Sequence, residues 1–168
     1  MRSFSLAALA VLIAAPAAAQ QQTAVGSVQP LYELVRGYIQ RAAEQVPEAE
    51  YSFQPTPEVR TFGRLLGHIA NARYMFCSMI KGEENPAGRN FEEVTVKADL
   101  VAAVTASALY CDEAYAISDA RALEALTLFD RPTSRLGALV LNAMHDMEHY
   151  GNIVTYMRIR GMVPPSSM

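Results

Sequence analysis

Apolar residues recur at helical spacing in four separate stretches of this chain, and no stretch sustains the period-two alternation of a half-buried strand. The first opens at Pro30, after a polar lead-in over residues 20–29 that is expected to be disordered, and carries Leu31, Leu34, Val35, Tyr38, Ile39 and Ala42 before stopping ahead of Pro47. The second takes Thr56 as its N-cap with Pro57 at the first position, runs through Phe62, Leu65, Leu66, Ile69 and Phe76, and ends near Lys81-Gly82. The third spans about Lys97 to Ser118. Thr133 or Ser134 caps the fourth, which reaches Arg160 with Gly161 at its end and Pro164-Pro165 beyond. Residues 120–131 read either as one short turn or as loop. The fold class is therefore all-α, a four-helix bundle over residues 30–165.

The connection between the second and third helices, Gly82 to Thr95, is long and rich in Gly, Pro, Asn and acidic residues. A helix of about 24 residues is ~36 Å long, and some fourteen extended residues reach ~46 Å. Helices two and three can therefore run parallel, joined by a crossover along the bundle. Cys77 and Cys111 lie at similar depths in these two helices. Parallel packing brings them level and permits a disulfide; two buried thiols acting as small hydrophobes are the alternative.

Arg2, the apolar run Phe4 to Ala15 and the small residues Pro16-Ala17-Ala18-Ala19 have the layout of a secretory signal peptide over residues 1–19, cleaved after Ala19. The apolar run is short for a membrane anchor. The expected location is periplasmic or secreted, with no membrane association after cleavage. Losing Arg2 moves the formal charge from −3 to −4. The basic residues are scattered, so no positive face exists to neutralise phosphates, and a nucleic-acid partner is not expected.

Three histidines carry the chemistry: His68, His145 and His149. His145 and His149, four apart, share one helix face. Alone, such a pair is as often structural as ligating. His68 lies at mid-height on another helix, and antiparallel packing of helices two and four would set all three level. Three imidazoles with one open position is the pattern of a catalytic zinc site. The donor set suits zinc, nickel, copper or ferrous iron and disfavours calcium or magnesium. Asn71, Asn142 and Asn152 each lie three residues from a histidine and either orient a ring or are surface amides. Glu148 is the candidate general base, and Asp146 also flanks the ligands; the alternative for both is a solvated helix face. Met144, Met147 and Met157 read as packing rather than as copper ligands.

The segments Pro55-Thr56-Pro57-Glu58-Val59-Arg60-Thr61-Phe62-Gly63-Arg64-Leu65-Leu66-Gly67-His68-Ile69-Ala70-Asn71-Ala72 and His145-Asp146-Met147-Glu148-His149-Tyr150-Gly151-Asn152, with the Gly161-Met-Val-Pro164-Pro165 end, resemble the DinB-like family of bacterial four-helix bundles. The resemblance covers nearly all of the chain after residue 19. It implies two parallel central helices, one divalent metal (often zinc or nickel) held by His68, His145 and His149, and a homodimer. Relatives include thiol S-transferases, a maleylpyruvate isomerase and metal-dependent hydrolases, so a small-molecule substrate is expected. The signal peptide departs from the family pattern. Since low-molecular-weight thiols are mainly cytosolic, it favours a hydrolase, or a bundle that binds a metal or small ligand without turnover, over a thiol transferase.

Overall fold

The computed structural model describes residues 23–168. The signal-peptide reading of residues 1–19 lies outside the described residues. No described helix is long and apolar enough to cross a membrane. The elements are α1 (Ala24–Gln45), α2 (Phe62–Lys81), α3 (Lys97–Ala114), the one-turn α4 (Asp119–Ala122), β1 (Ala125–Leu128), β2 (Arg131–Ser134) and α5 (Arg135–Ile159).

The direction of each helix follows from what touches what. Along α2 and α3, Cys77 is bonded to Cys111, and one turn further on Lys81 meets Glu113 at 2.6 Å. Near the other end, Gly63 lies against Leu100. Residue numbers rise together, so α2 and α3 are parallel, as the length of the crossover allowed. Along α2 and α5, His68 faces His145 while the Ile80 carbonyl accepts from Arg135, so this pair is antiparallel. The disulfide joins helices whose Cα atoms at these positions are 5.3 Å apart.

Several boundaries differ from the sequence expectation. The lead-in is helical from Ala24, two turns before Pro30, because Thr23 caps the helix by accepting from Gly26 N. The Ala24 and Val25 amides then donate to the Asp119 carboxylate at 2.8 and 3.0 Å. Those donors would otherwise be orphans, and their partner is a distant residue that local pattern cannot reveal. Pro30 sits inside α1, where it has no N–H to offer the Gly26 carbonyl. Helix α2 starts at Phe62 under a Thr61 cap rather than at Pro57. The Phe62 and Gly63 amides are spent on the Phe53 and Tyr51 carbonyls, which fold the preceding segment back onto the helix end. Helix α3 stops at Ala114 instead of Ser118, where the Tyr115 ring turns in to stack on Tyr32 at 4.1 Å. Ser134 and Gly161 end α5 as expected, and Gly82, at φ 77°, ends α2.

Within residues 120–131, read as turn or loop, lies most of a small hairpin, β1–β2, with Leu126 opposite Thr133 and Leu128 opposite Arg131. Strands of four residues are too short to show a period, and its turn lacks the usual Asn-Gly signal. Phe129 and Asp130 occupy that turn at φ 50° and 61°. Asp130 is exposed, so Asp130→Gly should relieve left-handed backbone strain. We expect a stabilisation of ~0.5 kcal/mol in a urea melt; a loss of stability would contradict the turn assignment.

Two apolar clusters fill the bundle, one around Ile39, Phe62, Leu66, Leu100 and Ile153, the other around Tyr32, Phe76, Ile80, Cys111 and Leu139. Between them along α2 and α5 lies a fully buried ion pair. Arg73 Nε donates to Asp146 Oδ2 at 2.9 Å, and Nη1 donates to the Val104 carbonyl at 3.2 Å. Burial pushes the Asp146 carboxyl above its usual value, against the pull of Arg73.

Candidate metal centre

The antiparallel packing of α2 on α5 brings the three histidines together. Nε2 of His145 lies 3.2 Å from Nε2 of His68 and 3.1 Å from Nε2 of His149, and one nitrogen from each ring falls within 4.8 Å of the others. Two nitrogens bound to one tetrahedral zinc at ~2.0–2.1 Å lie roughly 3.3 Å apart. The spacing therefore fits a single ion with three imidazole ligands. Burial, and then the other histidines, push His145 and His149 down to about 4, so both are neutral and ligand-ready at pH 7.

Those shifts set an acid dependence. The unfolded imidazoles titrate near pH 6.5, so between about 6.5 and 4 the unfolded chain binds more protons than the folded one. Stability of the metal-free protein should therefore fall as pH drops through that window. Urea melts at pH 7, 6 and 5 measure it; equal midpoints would refute it.

The partner that orients His68 comes from the crossover and was missed in the sequence, where Glu92 reads as one acidic loop residue among several. Its Oε1 accepts from His68 Nδ1 at 2.8 Å, which leaves Nε2 free to face the cluster. Burial opposes ionisation of Glu92, but hydrogen bonds from Arg60 and His68 outweigh it and hold the carboxyl below its ordinary range. Arg60 grips the same carboxylate at 2.9 and 3.2 Å. The Glu92 turn, Phe91–Glu93, can sit this low only because residue 67 is glycine: a Cβ there would stand 2.3 Å from the Phe91 carbonyl oxygen. Asn71 clamps the turn by accepting from Phe91 N and donating to Asn90.

The other residues read from sequence divide. Asn152 Nδ2 lies 3.3 Å from His149 Nδ1, so this amide, unlike Asn142, reaches a ring of the cluster. Asn142 is fully buried and donates to the Tyr115 hydroxyl, away from the cluster. Asp146 is neither base nor solvated face, being spent on Arg73. Met157 is core, whereas Met144 and Met147 are exposed. Glu148 is exposed and lines a pocket of about 570 Å³ together with Arg60, Arg64, His149, Asn152 and Tyr156. The nitrogen cluster thus borders open space, and among the described residues no fourth His, Cys, Asp or Glu joins it.

A family model of the DinB superfamily matches residues 31–153, a span that holds all three histidines and Glu92. The chain belongs to the DinB superfamily. It is similar to an uncharacterized protein, YjoA, of Bacillus subtilis (strain 168), with 24% identity over 134 residues, covering 75% of this chain and 84% of that one. A DinB-like protein from Bacillus cereus ATCC 10987 has a similar crystal structure, with a TM-score of 0.71 and 20% identity over 86% of this chain and 97% of that chain. At that identity the likeness concerns the DinB fold, and the three-histidine cluster is read from this chain's own geometry.

Proposed function

We propose that this DinB protein is an exported metal-dependent hydrolase of a small substrate, holding one divalent transition metal, zinc or nickel, at His68, His145 and His149. The observation that carries the reading is the convergence of three imidazole nitrogens beside an open pocket. Three protein ligands with an accessible fourth position distinguish catalytic from structural zinc. A divalent ion held there would supply Lewis acidity and lower the pKa of a water.

The chain's own residues divide the remaining work. Glu92 keeps the proton of His68 on Nδ1. Glu148, at the rim of the pocket that His149 lines, is placed to take a proton from a water entering the pocket. Arg64, exposed and 3.6 Å from Glu92, retains donors for a polar or anionic group of the substrate. The Cys77–Cys111 bridge supports export, because disulfides persist in oxidising compartments.

The test is metal analysis of protein matured through its own leader. We expect close to one equivalent of metal, lost in His68→Ala and His149→Ala, and chelator-sensitive turnover within a panel of chromogenic esters, amides and phosphoesters. Protein without metal would overturn the reading. Metal without turnover would reduce it to a binding module.

A further inference from the structure

The nitrogen cluster borders a second pocket, opposite in character to the polar one. Its volume is about 400 Å³, and its wall is formed by Met75, Phe76, Phe129 and Leu141 together with His68 and His145. The polar pocket instead takes His149, with Arg60, Arg64 and Asn152. Since the three rings contact one another, the histidines stand between an apolar chamber and a polar one.

Phe129 is the informative residue. It is 62% exposed and its backbone is left-handed, at φ 50°. A bulky side chain is disfavoured in that region, and exposing a phenyl ring adds a solvation cost. What the position provides is reach. From the hairpin tip the ring packs edge-on against Phe76 at 6.0 Å, and Phe76 packs against His145 at 5.7 Å. A continuous aromatic wall therefore runs from the tip to a metal ligand. Strain held at a site wall is a pointer to function.

We infer that this chamber is a substrate subsite, and that the substrate is a small amphiphile whose aliphatic or aromatic end seats among Phe129, Phe76, Met75 and Leu141 while its polar, reacting end lies at the histidines. The inference deepens the hydrolase reading and rests on it for the polar end alone. The hairpin tip supplies the outer wall, so Phe129 is a specificity-determining residue.

Two hydroxamates that share a metal-seeking head and differ in tail length, acetohydroxamate and octanohydroxamate, test this on zinc-loaded protein, with methionine methyl resonances as the readout. Octanohydroxamate should bind at least tenfold more tightly and shift the Met75 methyl, while Met157, buried in the core, stays still. Phe129→Ala should remove most of the tail-length preference, weakening octanohydroxamate several-fold more than acetohydroxamate. Equal affinities for the two probes, or tight octanohydroxamate binding that leaves Met75 unmoved, would overturn the subsite. If the protein takes up no zinc, the metal reading fails separately, and 1-octanol becomes the probe of the metal-free protein. A Met75 shift abolished by Phe129→Ala then supports the chamber, and no shift overturns it.

Discussion

Asp146→Ala should remove about 3–5 kcal/mol of stability, a large part of the ~5–15 kcal/mol that holds a domain of this size together. Both members of the pair are fully buried, and the alanine leaves the Arg73 guanidinium in the core with only the Val104 carbonyl as a neutral partner. The loss comes mainly from that uncompensated charge, so it depends on Arg73 being present. An Arg73→Met, Asp146→Leu double variant should therefore recover most of the stability that either single change loses, since well-packed apolar side chains often replace buried ion pairs at no net cost. Urea melts of metal-free protein, with the disulfide intact, measure both. A cost under ~1 kcal/mol for Asp146→Ala would mean that the pair is not buried as described.

Removing the carboxylate behind His68 should weaken the metal centre while leaving all three histidines in place. Glu92→Ala is expected to weaken zinc binding by ~10–100-fold, the usual cost of losing a group that orients a ligand histidine. Glu92→Gln keeps an acceptor for His68 Nδ1 but loses the charge, and should fall near the lower end. Gly67→Ala should reproduce the defect without touching a polar group. Its Cβ would stand 2.3 Å from the Phe91 carbonyl oxygen, so the turn carrying Glu92 must move off α2. Competition with a chromophoric chelator reads all three affinities. Wild-type affinity in Gly67→Ala would show that the turn does not position His68.

Residues close in the chain made much of the fold legible. Helical spacing marked the four long helices, Thr133 or Ser134 and the glycines at 82 and 161 marked their ends, and the length of the crossover left room for the parallel α2–α3 pair. The histidine cluster was legible for a related reason. His145 and His149 share a helix face by spacing alone, and His68 needed only one correct helix pairing to join them. Where the sequence reading failed, either a partner outside the local segment or a turn of unusual composition decided the outcome. Asp119 extends α1 back to Ala24, the folded-back segment at Tyr51 and Phe53 delays the start of α2, and a turn without Asn or Gly closes the β hairpin.

Glu92 and Asp146 show the division most sharply. Both are acidic residues near the histidines, in space or in sequence. By pattern alone Asp146 was the better candidate for chemistry, since it adjoins His145. The sequence by itself determined an all-α bundle with three histidines able to meet, because periodicity and spacing are local properties of neighbouring residues. Only the tertiary structure decided that Asp146 is locked onto Arg73 and that Glu92, 24 residues from His68, is its partner. Such pairings depend on where the chain closes its loops and how closely two backbones approach, and here a missing Cβ at Gly67 lets the approach happen.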